Sequence, residues 1–139
     1  MSLAAIIKNG MEKIAKNPES KDYFVGFEGD SVGLNLIGDS PVTIKVEGAK
    51  PVVFEGEIQD AKVVVDVVVR KFLGFIDGRT PFGGLFTTEF PEYFQAKKGK
   101  FDEMGGDFAL LNPVSDRLIK LYKEDAEFRE MVDNFARST

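Results

Sequence analysis

The stretch AKVVVDVVVRKFLGFIDG, residues 61–78, decides the fold class, because within eighteen residues its hydrophobic period changes from strand to helix. From Lys62 to Val69 the apolar residues alternate. Val63, Val65, Val67 and Val69 fall on one face of a strand, and Val64, Asp66 and Val68 fall on the other. This pattern predicts a strand in a sheet interior, covered on both sides apart from Asp66. Beyond Arg70 the spacing becomes helical, with Phe72, Leu73, Phe75 and Ile76 on one side before Gly78.

Working outward toward the N-terminus, Leu3, Ile6, Ile7, Met11 and Ile14 recur at spacings of three and four, with Lys8, Lys13 and Lys16 elsewhere. An amphipathic helix over residues 3–16 follows, ended by Asn17 and Pro18. From Ser31 the period is two. Val32, Leu34 and Leu36 share a face, Gly38, Asp39, Ser40 and Pro41 turn the chain, and Val42, Ile44 and Val46 continue as the second arm of a hairpin. A further short strand is expected over residues 52–54.

Toward the C-terminus, Thr80 and Pro81 read as the cap and first residue of a second short helix carrying Phe82, Leu85 and Phe86, weakened by Gly83 and Gly84 and stopped by Pro91. Tyr93 and Phe94 sit on a third short segment, and an edge strand is expected near Phe101. The last helical region opens at Pro113. Val114, Leu118, Leu121 and Tyr122 lie before the acidic break at Glu124 and Asp125, and Phe128, Met131, Val132 and Phe135 lie after it.

Strands first and helices afterwards describe an α+β layer fold. The expected architecture is a mostly antiparallel sheet of about five strands, with an N-terminal helix and several C-terminal helices packed on one face around an apolar cavity. Residues 1–139 form one domain in this reading, without repeats, linkers or low-complexity tracts.

The absences in the composition exclude whole classes of function. Without cysteine there is no disulfide framework, thiolate metal site or cysteine nucleophile, and without histidine there is no Ser-His-Asp triad. The net charge of −5 and the shortness of the basic clusters Arg70, Lys71 and Lys97, Lys98, Lys100 argue against nucleic-acid binding. Asp102, Glu103 and Asp107 lack the spacing of a calcium loop, and Gly83-Gly84 and Gly105-Gly106 lack that of a phosphate loop. No cofactor or metal is expected. No apolar run approaches the ~20 residues of a spanning helix, so a cytoplasmic address is the default expectation.

The aromatic distribution carries the functional reading. Eight of the thirteen phenylalanines fall between Phe72 and Phe108, in short segments interrupted by glycine. Such residues fill an ordinary core, and as a group they also suit the wall of a cavity laid against a sheet. The candidate lining is Phe72, Phe75, Ile76, Phe82, Leu85, Phe86, Phe90, Phe94, Phe108, Leu118 and Leu121.

Several local signals, taken in order, resemble the sterol-carrier type-two family. They are the helix containing Met11 to Asn17, the Gly38-Asp39 turn, the strand from Ala61 to Val69 running into Phe72 and Leu73, the stretch Phe75-Ile76-Asp77-Gly78-Arg79-Thr80-Pro81-Phe82, and the pairs Gly99-Lys100-Phe101 and Gly106-Asp107-Phe108-Ala109-Leu110. The likeness runs from about Met11 to Tyr122. The chain departs from the family by about one extra short helix between Pro81 and Gly99, by Asp102 and Glu103 in the expected last strand, and by the tail from Asp125 to Thr139. The resemblance implies a non-catalytic carrier that binds a fatty acyl chain, a sterol or another lipid in its interior, with Arg79, Arg117 or Tyr93 available to a polar head group.

Two rival readings belong to other classes. One is an enzyme in which a buried Asp66 acts as general base with Tyr93, for which the alternative is an Asp66 that faces solvent or pairs with a lysine. The other is an interaction module that forms a homodimer through exposed phenylalanines.

Overall fold

The computed structural model describes residues 1–58, 60–79, 94–100 and 106–138. Helix α1 (Leu3–Lys16) turns Leu3, Ile6, Ile7, Met11 and Ile14 inward, as their spacing requires. Its N-terminus is capped twice. Ser2 Oγ accepts the Ala5 amide at 3.1 Å, and the Asp39 carboxylate accepts the Leu3 and Ala4 amides at 3.0 and 3.3 Å. The aspartate of the expected hairpin turn thus supplies acceptors to first-turn donors that have no partner within the helix. A short helix, α2 (Ser20–Phe24), and a single 3-10 turn over Val25–Phe27 follow, burying Phe24. Sequence periodicity gave no sign of α2.

Three strands then form a meander, β1 (Ser31–Ile37), β2 (Val42–Glu47) and β3 (Lys50–Glu55). Their inner face carries Val32, Leu34, Leu36, Val42, Ile44, Val46 and Val53, all buried. The turn between β2 and β3 is Gly48-Ala49, with φ of 62° and 59°. The Glu28 carboxylate receives both turn amides, at 3.0 and 2.7 Å.

Strand β4 (Val63–Val68) pairs parallel with β1, from Val32 opposite Val63 to Ile37 opposite Val68. Strand β5 (Phe94–Lys98) pairs antiparallel on its other side. The strand order is β3-β2-β1-β4-β5. Three of the four pairings are antiparallel, and that of β1 with β4 is parallel. Because β2 and β3 carry the chain sideways, it must return to reach the far side of β1. Ile58 sits on Gly33 at the outer face: a Cβ at residue 33 would lie 2.5 Å from Ile58 Cγ2.

Helix α3 (Val69–Asp77) begins where β4 ends, and α4 (Leu111–Glu124) and α5 (Ala126–Ser138) close the chain. With α1 they build the layer over the inner face, and their apolar side chains join those of the sheet in one core. Among the described residues no helix is long and apolar enough to cross a membrane.

Three expectations are corrected by these elements. Val69 is the first residue of α3 and does not extend the strand. The second face of β4 is only partly covered: Val64, Asp66 and Val68 are half-buried. A strand runs over Phe94–Lys98, so Phe94 belongs to a strand of the sheet. The helix expected from Thr80 and the strand expected near Phe101 lie outside the described residues.

Candidate functional site

The apolar layer between sheet and helices holds the described residues of the expected lining. Phe72 and Phe75 of α3 stack on one another with ring centroids 4.9 Å apart and planes inclined by 28°. The carbonyl of Phe75, in the last turn of α3, accepts the Ser115 hydroxyl at 3.2 Å. That bond ties α3 to α4. Phe108, from a 3-10 turn (Gly106–Phe108), and Leu118 of α4 enter the same core.

Phe72, Phe75, Ile76, Phe108 and Leu118 are each 0% exposed, and Leu121 packs partly buried against them. The structure therefore brings six of the proposed lining residues into one apolar cluster. Phe82, Leu85, Phe86 and Phe90 lie outside the described residues, as does the side chain of Phe94.

Asp66 occupies the outer face of the sheet. Its carboxylate accepts the Asn35 amide at 3.0 Å and lies 3.6 Å from Lys97 Nζ. Because Val65 and Val67 point inward, Asp66 points away from the apolar layer. The general-base reading fails on this geometry, and its proposed partner Tyr93 lies outside the described residues.

Of the other head-group candidates, Arg79 pairs with Asp77 at 2.7 Å. The Arg117 guanidinium stacks on the Tyr23 ring, 3.6 Å from its centroid. Arg117 also lines a small recess of about 60 Å³ between α1, α2 and α4, together with Ser20 and Leu121. Larger recesses measure about 340 to 370 Å³. One lies between α1 and β3, one beside Met1 and α5, and one beside Arg70 and Arg79.

The groups with displaced titration gather where α4 meets α5. Burial opposes the charge on Lys13, but its hydrogen bonds to Glu127 and Asp125 and their negative charges prevail and raise its pKa. The Phe128 amide holds the Asp125 carboxyl below the usual range, with Lys13 helping and burial opposing. The hydrogen bond from Tyr122 to Asp133, at 2.6 Å, raises the phenol, and burial acts the same way.

The order of elements, the strand order and the apolar layer can be compared with known proteins. The sequence matches no family model and no curated protein. Among solved structures, the crystal structure of sterol carrier protein 2 superposes with a TM-score of 0.56 at 16% identity, covering 86% of this chain and 95% of its own. The chain has the sterol carrier protein 2 fold. Two more structures of that fold agree. A ubiquinone synthesis protein, UbiJ-SCP2, has a TM-score of 0.60 at 12% identity, covering 89% of this chain and 94% of its own. A conserved hypothetical protein from Thermus thermophilus, titled as possibly a sterol carrier protein, has a TM-score of 0.59 at 16% identity, covering 89% and 88%. At such identity the sterol carrier fold is shared, while side chains in the interior are free to differ.

Ser20 and Tyr23 were missed by sequence reasoning. They belong to the five-residue helix α2, too short for a periodic signal, and Tyr23 meets Arg117 only through tertiary packing.

Proposed function

We propose that this chain is a non-catalytic lipid carrier, which takes a fatty acyl chain, a sterol or another apolar molecule between its sheet and its helices. The observation that supports this most is the sterol carrier protein 2 fold, shared over 86% of the chain with a structure titled sterol carrier protein 2. Phe72, Phe75, Ile76, Phe108, Leu118 and Leu121 form the described part of the wall, and Phe82, Leu85, Phe86, Phe90 and Phe94 complete it in this reading. Each methylene moved from water into that layer contributes about 0.8 kcal/mol, so binding strength rises with chain length and needs no polar motif.

The described phenylalanines of the layer are fully buried, so a ligand enters by parting them. Native mass spectrometry of the purified protein, with organic extraction of whatever it carries, tests the carrier reading. A stoichiometric lipid is the expected result. An empty protein that also leaves a fluorescent fatty-acid analogue unbound would refute it.

A further inference from the structure

We propose that the recess between α1, α2 and α4 is a binding site for a single carboxylate, held by Arg117 and Ser20. This goes beyond the carrier reading and stands without it. The recess of about 60 Å³ is walled by Ile14 from α1, Ser20 from α2, and Arg117, Lys120 and Leu121 from α4. Two of its lining residues carry buried polar groups without partners, the Ser20 hydroxyl and the Arg117 Nε–H. Ser20 is 3% exposed. Stacking on Tyr23 fixes the guanidinium plane, so Nε is held in place and not free to swing into water.

The chemistry of the two groups selects the occupant. An arginine Nε–H only donates and a serine hydroxyl can donate as well as accept, so an occupant rich in acceptor oxygens can satisfy both. Buried donors left without an acceptor are destabilising, which gives the site its affinity for one. A single water needs only ~10–15 Å³ of such space, so the recess has room for a larger acceptor.

Charge narrows the choice further. Lys13 is already engaged by Asp125 at 3.2 Å and Glu127 at 3.1 Å, and Lys120 lies 3.8 Å from Glu19. Arg117 has no carboxylate partner among the described residues, so one positive charge is left over. Glu124 also borders the recess and disfavours a second negative charge on the occupant. A monoanion with two oxygens in a plane matches the guanidinium edge, and Ile14 and Leu121 offer an apolar wall to whatever carbon chain follows it. The carboxylate is either that of a free short-chain acid or the head group of an acyl chain.

The test is an NMR titration of the intact protein, reading the arginine Nε–Hε signals in mildly acidic buffer against sodium chloride at equal ionic strength. The probes are acetate, octanoate and sulfate. Acetate is expected to move the Arg117 Nε–Hε and Ser20 amide signals saturably while the other arginines stay still, with sulfate weaker by threefold or more. Octanoate binding tenfold tighter than acetate would identify an acyl head-group site, and equal binding would identify a site for free small acids; either supports the proposal. Ser20→Ala is expected to keep its melting temperature and weaken acetate at least threefold. The proposal is overturned if Arg117 does not shift saturably up to about 100 mM acetate, the weak end of specific binding, or if all arginines shift alike. Failure here would leave the carrier reading intact, because that reading is measured by lipid extraction and a fluorescent analogue.

Discussion

Lys13 and Asp125 lie 112 residues apart in the chain, and their side chains meet at 3.2 Å. Asp125 also caps α5 by accepting the Phe128 amide at 2.8 Å, so one carboxylate both starts the last helix and pins it to the first. Asn caps as well as Asp does, so Asp125→Asn removes the ion pair alone. It is expected to lower stability by about 0.2–1 kcal/mol, and Asp125→Ala by about 1–2 kcal/mol, in urea titrations. The sign of the pH dependence follows from the depressed carboxyl. Its contribution is complete above the ordinary carboxylate range and is lost as pH falls through the lowered folded value, so wild type and Asp125→Asn should converge in acid. The raised Lys13 works in the opposite direction: its contribution is complete below the ordinary lysine range and is lost as pH rises through the raised folded value.

Gly33→Ala should destabilise the sheet by about 1–3 kcal/mol, because the new methyl would sit 2.5 Å from a branched carbon of Ile58, which would have to shift. Ile58→Ala should cancel much of that loss. A double-mutant cycle by denaturant titration measures the coupling, and additive effects would contradict the contact.

Ala49 holds a left-handed conformation, with φ of 59°, in a turn whose two residues both have positive φ. Ala49→Gly should raise stability by roughly 0.5–1 kcal/mol, since relief of the Cβ strain outweighs the added freedom of the unfolded chain. Thermal melts would show the increase.

Asp66→Asn should change stability by less than about 1 kcal/mol, because the Lys97 pair is at the surface. In the carrier reading it also leaves lipid retention unchanged in extraction assays. Loss of bound lipid in this variant would reopen an inward role for the residue.

Leu118→Ala should destabilise the empty protein by about 2–5 kcal/mol, since this fully enclosed side chain leaves a void when truncated. For a carrier, a lipid that fills the void should recover part of the loss. The melting temperature of the variant should therefore rise more with added fatty acid than that of the wild type.

The elements that were legible in the sequence are those set by neighbours along the chain. Alternation at Val63, Val65 and Val67 marked β4, spacing of three and four marked α1, and Gly38 to Pro41 marked the first hairpin, because side-chain direction repeats every two residues in a strand and every 3.6 in a helix. Pairings between distant segments have no such local signature. The parallel contact of β1 with β4, the position of β5, the Asp39 cap on α1 and the meeting of Arg117, Tyr23 and Ser20 were decided only by the tertiary structure. The phenylalanines show the division most sharply. Hydropathy alone placed Phe72, Phe75 and Phe108 inside, but a ring that lines a cavity and a ring that fills a core bury the same apolar surface, and only packing with α3, α4 and the sheet gathered them into one core cluster.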